Sequence, residues 1–68
     1  MPMSKITLLI KAIRASGLSQ SEIERRTGIT QPRISRWESG EVAAGADDAL
    51  KLLELARELD IDTTNIQG

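Results

Sequence analysis

An all-α fold, a compact bundle of four to five short helices containing a helix-turn-helix, is predicted by three observations. Apolar residues recur at i, i+3, i+4 and i+7 rather than at every second position. Glycines end one helical pattern just before the next begins. No stretch alternates apolar and polar residues as a half-buried strand would. The 68 residues read as one small domain, 1–68. A domain of that size buries little core and often leans on a second copy.

The elements follow in order. Ser4 can cap a first helix whose apolar face is Ile6, Leu9, Ile10 and Ile13, and Gly17 ends it. Ser19 caps a second helix, with Glu22 three residues on as the other half of a capping box. Leu18 and Ile23 flank that cap as a hydrophobic staple. Gly28 stops this helix, Ile29 packs the turn, and Thr30 caps a third helix with Pro32 in its first turn, where a missing N–H costs nothing. Ile34 and Trp37 share one face of the third helix, Trp37 as a core residue, and Gly40 closes it. Residues 41–46 form a loop. Asp47 or Asp48 starts a fourth helix, placing negative charge at its positive end. Its buried face is Ala49, Leu52, Leu53, Ala56 and Leu59, while Leu50 and Leu55 widen the apolar stripe beyond what one small core needs. Ile61 and Ile66 are the large apolar residues of the tail, 60–68.

Composition narrows function. The chain has no Cys and no His, which removes disulfides, thiolate or imidazole metal sites and every Ser-His arrangement. No paired-carboxylate cleft suggests itself either, so no catalytic residue, metal or cofactor is expected. No apolar run is long enough to span a bilayer and no secretory leader is visible, so a soluble, cytoplasmic chain is expected. The net charge of −1 argues at first sight against a nucleic-acid partner. Its distribution reverses that: residues 1–40 carry seven Lys and Arg against three Glu, a balance of +4, and residues 41–68 carry two against seven, a balance of −5. A polyanion responds to the local face rather than to the total.

The central question is why a helical pattern should break at Gly28 and restart at once with Thr-Gln-Pro-Arg. Two short helices joined by a Gly-centred turn cross steeply and form a bracket. With Ile23, Ile29, Ile34 and Trp37 facing inward, the third helix offers Gln31, Pro32, Arg33, Ser35 and Arg36 on its other sides. Gln can pair bidentately with adenine and Arg with guanine in the major groove.

The stretch "LSQSEIERRTGITQPRISRWESG" (18–40) resembles the helix-turn-helix of the Cro and lambda-repressor-like family, also called the XRE family. The matching elements are Leu18, Ser19-Gln20, Glu22-Ile23, Gly28-Ile29-Thr30, Ile34 to Glu38, and Gly40, with the helix-turn-helix at about 19–40. The tail "LLELARELDI" (52–61) is similar to the family's fourth-helix segment. By that resemblance Gln20 anchors a DNA phosphate and supports the first readout residue, Gln31. Pro32, Arg33 and Arg36 face the groove, and Thr30 and Ser39 match positions that touch the DNA backbone. The implied function is sequence-specific binding of double-stranded DNA by a small transcriptional regulator, a Cro-like repressor of bacterial or phage origin. It would act as a homodimer, formed on DNA or before it, with no small-molecule ligand and no membrane. An antitoxin that binds DNA and a toxin, and a protein-interaction module on the same fold, stay open as alternatives.

Three departures stand out. Glu24 occupies a site where relatives carry a small residue near the helix crossing, so it must turn outward, towards an Arg, or open the bracket. Pro32 has no polar atom for a base edge and can offer van der Waals contact alone. The loop after Gly40 is acidic and apolar where relatives are basic, which weakens the expected phosphate affinity.

Overall fold

The computed structural model describes residues 4–42 and 45–62. Within them the chain is all-α, with four helices: α1 Lys5–Ala15, α2 Gln20–Thr27, α3 Gln31–Glu38 and α4 Ala46–Glu58. The first and fourth helices pack on each other; α3 lies against α1 and α2, and α2 also meets α4.

Local chemistry sets most of the boundaries. The Ser4 hydroxyl accepts the Thr7 N–H at 3.1 Å, and the Ser19 hydroxyl accepts the Glu22 N–H at 3.2 Å. Both satisfy a donor that the helix itself cannot. The second half of the expected capping box is replaced by ion pairing: the Glu22 carboxylate takes Arg25, one turn on, and lies 3.9 Å from Arg26 Nε. Thr30 occupies the N-cap of α3, but its side chain makes no capping hydrogen bond. The fourth helix starts at Ala46, one or two residues before the expected Asp47 or Asp48, with Gly45 as its N-cap. Asp47 and Asp48 therefore sit within its first turn, where their charges still favour the helix.

The core is contiguous. Leu9, Ile10 and Ile13 of α1 meet Ile23, Ile29, Ile34 and Trp37 of the bracket and Leu52, Leu55 and Ala56 of α4. Trp37 is a core residue, as its spacing from Ile34 implies. Leu55, which could complete the core or meet a second copy, belongs to the core. Leu53, Leu59 and Ile61 pack against the core while partly exposed, and Leu50 remains 53% exposed. The expectation for Ile66 lies outside the described residues. Asp60 at φ 60° turns the chain after α4, and the Ile61 N–H returns to the Ala56 carbonyl at 3.0 Å. Ile61 is thereby brought back onto the core.

Two buried threonines were not legible as core. Thr7 is 1% exposed, and its hydroxyl donates to the Trp37 carbonyl at 2.6 Å, joining α1 to the end of α3. Thr27 donates to the Ile23 carbonyl at 2.7 Å and accepts the Ile29 N–H at 3.2 Å, which binds the turn to the helix before it. Glu24 is half-buried. Its expected Arg partner does not appear, since Arg25 and Arg26 both turn to Glu22 and Glu24 makes no ion pair among the described residues.

Candidate nucleic-acid interface

The bracket is held from behind, so its outer side is free to face a ligand. Gly28 stands at φ 80°, a left-handed conformation that L side chains rarely adopt, and its N–H donates to the Glu24 carbonyl at 2.7 Å. Ile29 then drops into the core, and α3 restarts two residues later. Because Ile34 and Trp37 point inward, Gln31, Pro32, Ser35 and Arg36 are all exposed.

Gln20 of α2 joins Gln31, Pro32 and Ser35 around one open concavity. Ser21 donates to the Gln31 side-chain oxygen at 3.3 Å, a long contact across the bracket. Gln20 donates to Glu38 Oε1 at 3.1 Å, and the same oxygen receives Arg14 Nη1 at 3.0 Å. One carboxylate of α3 thus ties α1 and α2 together and orients the Gln20 amide. Beside this lies a second concavity, lined by Lys11, Arg14, Gln20, Ser35, Glu38 and Ser39. Ser39, which donates to the Arg36 carbonyl at 2.7 Å, therefore sits near two cations of α1. Lys11 is exposed on the rim. No motif marks it, because α1 and α3 meet through the fold alone.

The expected readout residues separate into two groups. Gln20, Gln31, Pro32 and Ser35 come together, and Ser39 adjoins them. Arg33 and Arg36 lie on another side of α3, around a hollow shared with Trp37, Glu41 and Val42. Arg36 is exposed and makes no ion pair among the described residues. Arg33 is half-buried: its Nη2 lies 2.8 Å from Asp48 Oδ2 of α4, and its guanidinium carbon lies 4.8 Å from the centroid of the Trp37 ring. Thr30 is exposed at the head of α3.

Two helices joined by a left-handed glycine, the second presenting polar side chains from its first turn outward, define a helix-turn-helix DNA-binding protein. A family model described as "Helix-turn-helix" matches residues 9–66, and the chain belongs to that family, in its XRE type with the Cro and lambda-repressor-like proteins. Among curated proteins, protein P2 of Acyrthosiphon pisum secondary endosymbiont phage 1 is 56% identical over 32 residues. That match covers 47% of this chain and 34% of the phage protein, so the shared segment is about a third of that protein's length. No solved structure matches. Family membership identifies residues 9–66 as a helix-turn-helix domain of a DNA-binding family. Among the described residues, no helix is long and apolar enough to cross a membrane.

Proposed function

We propose that this chain, acting as a single domain, is a Cro-like repressor that binds an operator as a dimer, with α3 in the major groove of each half-site. The observation that carries this is the pairing of an anchored back with an exposed front on one helix: Ile34 and Trp37 are buried while Gln31, Pro32, Ser35 and Arg36 are open to solvent. Gln31 and Arg36 read base edges, and Pro32 offers apolar contact, for instance to a thymine methyl. Gln20, Thr30 and Ser39 bind the DNA backbone, with Lys11 beside them adding charge. The exposed Leu50, bordering a shallow apolar groove with Ile6, Leu9, Ala49 and Leu53, supports the pairing of two chains.

The test is selection of bound sequences from random duplex DNA. The expected result is a two-fold symmetric site whose half-sites lie about one helical turn apart, roughly 34 Å. Recovery of no sequence preference would overturn specific recognition. An asymmetric single half-site would overturn the dimer and leave recognition standing.

A further inference from the structure

Arg33 and Arg36 stand three residues apart on the same short helix, yet their surroundings differ. Arg36 is exposed and makes no ion pair among the described residues. Arg33 is held twice, by the Asp48 carboxylate of α4 at 2.8 Å and by the face of Trp37 at 4.8 Å. Trp37 is buried and cannot follow a moving side chain. The Asp48 side chain is 19% exposed, so it is more covered than a free surface carboxylate. Asp48 belongs to the acidic first turn of α4, and no motif of the helix-turn-helix includes it.

We propose that Asp48 is a positioning residue that acts through Arg33, withholding its charge from the DNA phosphates and so lowering the sequence-independent part of DNA affinity. This rests on the DNA-binding reading above. A cation that neutralises a phosphate releases a condensed counterion, and that release drives binding to any sequence. Held by Asp48, Arg33 brings little net charge to the DNA. Drawing it out would leave a mostly covered carboxylate unpaired beside a polyanion, where like charges repel. Base reading then falls to Gln31, Pro32 and Arg36, and Arg33 leaves the readout set. The benefit follows from numbers: non-specific sites greatly outnumber the operator, so weaker background binding leaves more protein free to find it.

The experiment is a cycle of wild type, Asp48→Asn, Arg33→Ala and the double variant, each titrated against a mixed-sequence duplex across a salt series. Asp48→Asn is expected to bind about five- to tenfold more tightly at low salt and to steepen the slope of log K against log salt by about 0.9, one phosphate contact. Arg33→Ala alone should leave the slope near the wild-type value. In the Arg33→Ala background, Asp48→Asn should no longer steepen it. An unchanged slope in Asp48→Asn, or the same steepening with and without Arg33, overturns the proposal. Thermal melts accompany each variant. Should Asp48→Asn fail to fold, Arg33→Ala decides alone: a slope shallower by about 0.9 means that Arg33 already neutralises a phosphate, and the proposal falls. A wild-type chain that binds no duplex overturns the DNA reading and this proposal with it; normal wild-type binding with an inert Asp48→Asn overturns this proposal alone.

Discussion

Gln20 and Gln31 carry the same side chain on the same concavity, but the fold holds them differently. Gln20 is oriented by Glu38 at 3.1 Å, so its amide is fixed by the protein before any ligand arrives. Gln31 has a weaker hold, the 3.3 Å contact from Ser21, and it is exposed. Gln31 therefore suits base reading and Gln20 suits anchoring. A good bidentate base contact discriminates by about 1–3 kcal/mol. Gln31→Ala and Arg36→Ala should each shrink the ratio of operator to scrambled affinity by that amount. Gln20→Ala should weaken both duplexes together, by about 0.5–1.5 kcal/mol, and leave the ratio intact. The measurement is binding of each variant to both duplexes at several salt concentrations. If Gln31→Ala and Arg36→Ala keep the ratio, α3 does not read sequence, and a protein-interaction module becomes the better reading.

At the scale of elements, two glycines bound α3, and both leave open space where a Cβ would go: beyond their chain neighbours, no atom of the described residues lies within 4 Å of it at Gly28 or at Gly40. Any cost of Ala at these positions is therefore conformational, not steric crowding by neighbours. Gly28 at φ 80° is near the left-handed well that L residues can visit, whereas Gly40 at φ 113° lies well outside it. Gly28→Ala should cost about 1–2 kcal/mol, and Gly40→Ala should cost more, up to about 3 kcal/mol. Denaturant midpoints of the two variants give the comparison. Equal losses would mean that the backbone relaxes at Gly40. Loss of DNA binding with retained stability would show instead that these turns aim α3 rather than hold it.

The whole molecule divides its charge along the chain, +4 over residues 1–40 and −5 over 41–68, and the Arg33–Asp48 ion pair joins the two halves. Away from that link, α4 turns Leu50 outward at 53% exposure, next to the groove it shares with α1. Sedimentation of the operator complex should find two chains per site. Leu50→Glu, a change at an exposed position, should reduce this to one chain per operator at the same protein concentration, with the melting temperature kept within a few degrees. A one-to-one wild-type complex at saturating protein would overturn the dimer. An undisturbed two-chain complex in Leu50→Glu would move the contact surface elsewhere.

Much of this was legible because it is local. The Ser4 and Ser19 caps, the Gly28 turn, the inward Ile23, Ile29, Ile34 and Trp37, and the exposed Gln31 and Arg36 all follow from spacing and from single-residue preferences within one or two turns of helix. Local pattern alone led to an all-α bundle of four to five helices, the bracket and its candidate reading edge, and the structure shows four among the described residues. Long-range contacts supplied the rest. They buried Leu55 in the core, and they sank the hydroxyl of Thr7 against the Trp37 carbonyl thirty residues away. They also brought Asp48, fifteen residues further on, to within 2.8 Å of the Arg33 guanidinium. Helical periodicity says which face a residue occupies; only packing one helix on another says whether that face meets solvent, a core or an opposite charge.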